Sequence, residues 1–351
     1  MVDSSHSTGT PDTAPHDVII VGGGLAGGLI ALALHRHAPG CRFLVVEAGR
    51  TLGGHHRWSW FETDIPAQER ALVEGFHLNG WDEGYDITFP RLTRTLPTAY
   101  RSLASAEFHR ALMAELPADR VLLETKAAAL DDGGVTLADG TRLAAKRVID
   151  CRPFKSSKAL AGGWQVFLGQ HFKCEKPHGL TRPVIMDASV DQVAPHGNGE
   201  AYRFVYVLPL SPDEVFIEDT YYADQPKMDA DVLKGRVAEY AHRNGWKGEV
   251  IDQAAGILPV ISGGDFAAAT AEVAIPRVAL AGARGGFSHP LTSYTIPFAI
   301  SNALAIARLI AARPELSGAD LAAFCKRRAR SHWRGTAYYR MLSRMLFEAA
   351  E

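Results

Sequence analysis

Five glycines fall within the seven positions 22–28, in "VGGGLAGG", directly after the apolar stretch "VIIV" at 18–21. Few folds accept such a turn. A strand ending in Gly-x-Gly-x-x-Gly and running into an apolar helix predicts a nucleotide-binding βαβ unit. Gly22 permits the tight turn, Gly24 lets backbone approach a pyrophosphate, and Gly27 lets helix and strand pack closely. The helix start then offers free N–H groups and a positive dipole end to phosphate. A second strand, "FLVV", runs into Glu47, twenty residues beyond Gly27, where a ribose-binding acid belongs. The motif alone does not choose between FAD and NAD. The apolar run 18–34 approaches transmembrane length, but its glycines mark a turn, and a membrane span is rejected.

The rest of the chain reads as further visits to that unit, separated by another domain. "AEFHRALMAEL" predicts a helix, and 121–151 a strand, a hairpin around 131–134 and a return strand ending at Asp150, placed to reach a cofactor. "WQVFLGQHFKC", "PVIMDA", "YRFVYVLPL" and "EVFIEDTYY" predict strands rich in β-branched and aromatic residues, the last two joined by a turn at Ser211, Pro212 and Asp213. They suit an antiparallel sheet over a substrate cavity. Last come a strand "RVALAG", a glycine turn and a helix "IPFAISNALAIARLIAA", with Pro297 tolerated near the helix start. The expected fold class is α/β: a discontinuous Rossmann-like FAD-binding domain (17–60, 100–155 and 275–312), an antiparallel β-sheet substrate domain (61–99 and 156–274) and a C-terminal helical segment (313–351). Residues 1–16 read as a flexible tail rather than a signal peptide.

With 351 residues and a formal charge of −2, nothing points to nucleic acid. Cys41, Cys151, Cys174 and Cys325 are scattered without a CxxC pair, which argues against disulfides or zinc and for a reducing cytoplasm. His55 and His56 are adjacent with no carboxylate partner near in sequence, so no metal site is expected.

The stretches "VIIVGGGLAGGLIALAL", "GGHHRWSW", "PVIMDASVDQ", "YRFVYVLPLSPDEVFIEDTYY", "GILPV" and "GARGGFSHPLTSYTIPFA" together resemble the bacterial CrtY-type lycopene cyclases, within the geranylgeranyl reductase-like flavoproteins. They occur in the family's order from about Asp17 to Phe347. The resemblance implies FAD, required reduced and supplied from NAD(P)H although the reaction is redox-neutral. It also implies a linear-ended carotenoid such as lycopene as substrate, and β-ionone rings as product. The family's usual Asn-His-Thr-Trp-Ser-Phe stands here as His55-His56-Arg57-Trp58-Ser59-Trp60. Family members usually continue some tens of residues beyond "RMLFEAAE", so a shortened C-terminus is expected.

Within that reading Glu218 and Asp219 are the catalytic candidates. Successive strand residues face opposite ways, so only one shares a face with Phe216 and Thr220. That one is Glu218, the expected proton donor; Asp219 is expected to orient the strand or bond a neighbour. Burial keeps such a carboxyl protonated at neutral pH. Gly282, Arg284, Gly285 and Gly286 are expected at the cofactor, with Arg284 offsetting an anionic reduced flavin. Trp58, Trp60, Tyr206, Phe216 and His289 are candidates for the substrate cavity. The tail carries seven Lys/Arg between 323 and 347, with Tyr338, Leu342 and Met345 on one helical face. A basic, aromatic helix of this kind suits peripheral contact with anionic lipid at the inner membrane. The competing readings are an isoprenoid monooxygenase or reductase, and a non-catalytic prenyl-binding carrier; the intact glycine motif with Glu47 speaks against the carrier.

Overall fold

The computed structural model describes residues 14–192 and 201–348. Of the tail expected at 1–16, residues 1–13 lie outside this range, and His16 already pairs with Ala145 as a β-bridge.

The first unit is a five-stranded parallel sheet in the order Ala279–Leu280, Val148–Asp150, Val18–Val21, Phe43–Val46, Val121–Leu122. The central strand is apolar throughout because both its faces are covered. Val18 and Ile20 face the helices Leu25–His37 and Ile296–Ala312, whereas Ile19 and Val21 meet Leu130, Val135 and Leu137. Those three come from a small antiparallel sheet, Ala127–Asp131, Gly134–Leu137 and Arg142–Ala144, which roofs the other face.

The second unit is a seven-stranded sheet, ordered Gly248–Gly264, Leu160–Cys174, Glu214–Ala223, Arg203–Ser211, Val184–Asp187, Tyr85–Phe89, Leu92–Leu96. It is antiparallel except where Val184–Asp187 runs parallel to Tyr85–Phe89. The helix Ala230–Arg243 covers one face, burying Val237 and Tyr240 against Val205, Val207, Val215 and Ile217. A three-stranded sheet, Arg57–Phe61, Tyr100–Ala104 and Asn79–Trp81, lies between the two units.

Several elements add to or refine the sequence reading. The strand Gly248–Gly264 was not anticipated: it is an edge strand with only Val260 buried, so it lacks a strong apolar alternation. The "RVALAG" strand shrinks to Ala279–Leu280 before the chain turns. The tail is two helices, Gly318–Gly335 and Ala337–Glu348, broken at Thr336. Among the described residues no helix is long and apolar enough to cross a membrane.

Candidate functional site

The glycine turn divides its labour among its residues. Gly22 sits at φ +98°, and a Cβ there would lie 2.9 Å from the Cys151 carbonyl. A Cβ on Gly27 would lie 1.9 Å from the Gly22 oxygen, so helix and turn touch backbone to backbone. Around Gly24 there is nothing within 4 Å, and the helix that follows has neither a side-chain cap nor an acid in its first turn. The open approach and uncapped N–H groups fit a pyrophosphate. Glu47 stands beside it, accepting 2.6 Å hydrogen bonds from the Gly23 and Gly49 N–H groups, one on each oxygen. Each oxygen keeps a lone pair for a ribose hydroxyl.

The late glycine turn closes on the same place. Gly282 and Gly286 take positive φ (+63° and +84°), and a Cβ on Gly282 would press within 2.8 Å of Ala26 Cβ, just behind the phosphate turn. A Cβ on Gly285 would lie 3.0 Å from the Leu280 oxygen. Arg284 donates to the Pro153 carbonyl at 3.1 Å and lies 3.7 Å from buried Asp150. Asp150 is more tightly held by Arg152, through Nε at 2.9 Å and Nη2 at 2.7 Å. Arg284 is therefore already partly neutralised, and Asp150 acts as the anchor of two arginines.

Glu218 projects from the middle of the second sheet into a cavity between the two units. The wall is built by register. Phe216, Glu218, Tyr206, Leu208, Gln165, Phe167 and Leu258 come from four adjacent strands, while Arg57, Trp58, Ser59, Tyr100 and residues 292–295 close the far side. Glu218 stands directly across the ladder from Tyr206 on one side and from Gly169 on the other. A Cβ on Gly169 would lie 2.1 Å from the Phe216 ring, so this glycine lets the ring lie over the neighbouring strand beside the acid. Thr220 donates to Glu218 at 2.9 Å. Glu218 borders this cavity and is half-buried; burial pushes its carboxyl up to about 7, against the Thr220 hydrogen bond and with a further push from Asp219. Burial likewise raises the phenols of Tyr100, Tyr206 and Tyr294 and lowers Arg57 to about 10, so at neutral pH all three phenols keep their protons and the guanidinium its charge.

Trp58, Tyr206 and Phe216 line this cavity as the sequence suggested, and three other candidates do not. Asp219 faces the opposite side of the sheet, fully buried and ion-paired with Arg203, with Arg236 of the covering helix 3.7 Å away. It touches no cavity atom and serves as a structural anchor. Trp60 is 2% exposed and sits within the hydrophobic core of the first unit, against which Trp58 on the same strand face also packs. His289 packs on Tyr339 with ring centroids 4.3 Å apart and shares a 3.0 Å hydrogen bond with Thr292. Burial drops its imidazole to about 4, so it stays neutral and structural.

The sequence reading missed Arg57, Tyr100, Gln165 and Tyr294 as cavity residues. Gln165 and Phe167 share a strand face with Gly169, a period-2 signal that was legible. Tyr100 and Tyr294 come from segments whose convergence only the fold reveals. Two other clefts, beside Trp333 and between the helices Phe266–Ala271 and Gly318–Gly335, have no carboxylate in their walls. Among the described residues no cluster of metal-ligating side chains occurs.

The chain is 40% identical over 334 residues to a lycopene beta-cyclase of Pseudescherichia vulneris, covering 95% of this chain and 83% of the relative. It is 35% identical over 337 residues to the lycopene beta-cyclase of Pantoea ananas, covering 95% and 84%. Among solved structures, a variant of Klebsiella pneumoniae HpxO complexed with FAD superposes with a TM-score of 0.61 at 16% identity, covering 95% of this chain and 93% of that one. The Diels-Alderase PyrE3 superposes with a TM-score of 0.58, also at 16% identity, covering 93% and 72%. These distant likenesses establish the fold, a two-unit architecture shared with an FAD-bound protein. The family description "Lycopene cyclase protein" matches residues 17–351, and the chain belongs to the lycopene cyclase family.

Proposed function

We propose that this enzyme is a lycopene β-cyclase of carotenoid biosynthesis, an isomerase that closes the linear ends of lycopene into β-ionone rings by acid catalysis. The observation that carries the reading is Glu218, a carboxyl whose proton burial holds up to about pH 7, facing a cavity lined largely by aromatic and apolar side chains.

Lycopene offers no polar group to grasp, so its end is held by shape against Trp58, Phe167, Leu208, Phe216 and Leu258. Glu218 delivers its proton to C2 of the terminal alkene, leaving a tertiary cation at C1. The C5=C6 bond attacks C1 and the cation moves to C5. Loss of the C6 proton to the Glu218 carboxylate forms the ring double bond and restores the acid, so one residue serves as acid and then base. Aromatic faces around the cavity attract the passing cation. Water would quench it, and the apolar walls disfavour water beside the acid. Residues 22–27, Glu47 and the late glycine turn would hold FAD, which when reduced by NAD(P)H would supply negative charge to steady the cation. The chain acts as a cytoplasmic protein in peripheral contact with the inner membrane, where its hydrocarbon substrate resides.

The test is carotenoid analysis in lycopene-accumulating bacteria expressing the chain or Glu218→Gln. β-Carotene from the parent and lycopene from the variant, with flavin content unchanged, is the expected pair; the variant should lose at least ~100-fold in rate. β-Carotene from both would overturn the choice of acid. Unchanged lycopene from both, with soluble flavin-bearing protein, would overturn the cyclase reading. Oxygenated products would favour a monooxygenase instead.

A further inference from the structure

Two clefts meet at Phe216. On one side lies the cavity of Glu218; on the other lies a cleft walled by His55, His56, His171, Asp252 and Ala254, and Phe216 and Arg57 belong to both walls. The ring is seated there by a missing side chain. A Cβ on Gly169, the cross-strand partner of Glu218, would lie 2.1 Å from the ring tip, so the ring lies across the neighbouring strand at the level of the acid. Only 5% of Phe216 is exposed. The Arg57 guanidinium stands 5.7 Å from the ring centroid, itself held by Asn79 Oδ1 at 3.0 Å and Ser102 Oγ at 3.1 Å. Ring and guanidinium attract each other in this arrangement.

The two sides of this partition differ in chemistry. His55 and Asp252 lie 3.4 Å apart with side chains 65% and 62% exposed, and His171 bonds Glu214 at 3.1 Å. A hydrocarbon body laid there would strip water from those groups and return no hydrogen bond. The Glu218 side offers Phe167 and Leu258 instead. It is also the longer side. Strand residues on one face recur every second position, about 7 Å apart. Towards His171 the Phe216 ring ends the cavity within one such step of Glu218. In the other direction Thr220 and Tyr222, paired with Phe167 and Gln165, continue the same face for two steps. A linear carotenoid fits with its conjugated body along Phe167 and Leu258 and its tip against Phe216.

We propose that Phe216, seated over Gly169 and backed by Arg57, is the end stop of the carotenoid site: it halts the terminal isopropylidene group with C2 beside Glu218 and keeps oxygen-bearing ends out. This deepens the cyclase reading and rests on it. A linear carotenoid repeats its alkenes along the chain, and a carboxyl protonates whichever one lies within reach. The site therefore needs something that fixes how far the chain slides, because misplacement by about 1 Å costs on the order of 100-fold in rate. The stop also sets specificity. A hydroxyl on the chain end would press on the Phe216 ring without a partner, whereas the imidazoles behind that ring would bond it. Gly169 is a positioning residue here, acting through Phe216.

The experiment compares two carotenoids on the FAD-loaded enzyme: lycopene, and lycopene carrying a hydroxyl on one terminal methyl at each end. The parent should prefer lycopene by at least about tenfold in kcat/KM. Phe216→Ala should lose at least about tenfold in kcat on lycopene with KM within about twofold, and its preference for lycopene should shrink about tenfold. The hydroxyl's electronic effect on the cation is the same in both proteins and cancels in that comparison. Gly169→Ala keeps the ring but drives it from its seat, and should shift the preference the same way. A merely structural defect would lower both carotenoids in proportion. Proportional losses, a parent indifferent to the hydroxyl, or a kcat on lycopene equal to the parent's overturn the proposal. Should Phe216→Ala not fold, Phe216→Leu shortens the stop and should shift the preference in the same direction, by less. Binding of each carotenoid to the same proteins, read from the polyene absorption band after gel filtration in detergent, needs no turnover. A parent that cyclises nothing would sink the cyclase reading, and the ratio of bound carotenoids would still decide the stop.

Discussion

At the scale of single residues, the adjacent acids in "VFIEDTYY" are told apart by one strand's alternation. Glu218 faces the cavity and Asp219 the covering helix. That Glu218 pays for its place in folding stability has a measurable sign. Its folded pKa of about 7 exceeds the ordinary 4.5, so the native state holds the proton more tightly than the unfolded chain. The stability this group contributes is complete below about pH 4.5, declines up to about 7 and is flat above. Glu218→Gln cannot ionise and escapes that decline. It should match the parent in urea melts near pH 4 and exceed it by up to about 3 kcal/mol near pH 8. Equal stabilities at both pH values would mean the carboxyl is solvated in the folded state. The alternation and the family pattern made Glu218, Tyr206 and Phe216 legible in the sequence. Tyr100 and Tyr294 were not, because 194 positions separate two hydroxyls that share one hydrogen bond. Trp60 misled for the same reason: a strand pattern tells which residues share a face, not what lies beyond that face.

At the scale of elements, the βαβ unit was the most legible part, since its constraints are local. Steric necessity and ligand approach are separable in its glycines. Gly27→Ala places a methyl against the Gly22 oxygen, 1.9 Å away, and should destabilise the fold by roughly 1–3 kcal/mol. A Cβ at Gly24 meets nothing within 4 Å, so the Gly24→Val apoprotein should melt within a few degrees of the parent. Yet its side chain occupies the open approach to the helix start, and flavin retained after gel filtration should fall at least tenfold. Normal flavin content in Gly24→Val would mean the pyrophosphate lies elsewhere. The second sheet was legible where strands alternate, as in Arg203–Ser211 and Glu214–Ala223, and illegible at its edge. Gly248–Gly264 is held chiefly by backbone pairing with Leu160–Cys174, a long-range bond pattern that leaves little mark on side-chain hydrophobicity.

At the scale of the whole molecule, the question is how a bilayer hydrocarbon reaches a cavity between two units of a chain with a formal charge of −2. The last described helix, Ala337–Glu348, stands where an answer is needed. Its inner side is fixed: Arg340 stacks over Trp333 at 3.7 Å, Ser343 is buried, and Phe347 meets Tyr222 edge-on. Tyr222 lies on the same strand face as Glu218, two register steps along, so the helix closes one end of the sheet that carries the acid. Its outer side leaves Tyr338, Met341 and Met345 exposed at 61%, 49% and 57%, at helical spacing i, i+3 and i+7, with Arg334 and Arg344 exposed beside them. An apolar ridge held rigidly and flanked by cations suits the surface of an anionic bilayer. The protein should therefore sediment with anionic liposomes at low salt and detach as salt shortens the Debye length. Met341→Ser with Met345→Ser removes apolar contact while keeping every charge, and should weaken partition at least about tenfold with cyclisation in detergent unchanged. Protein that stays in the supernatant at low salt would leave substrate entry to some other face.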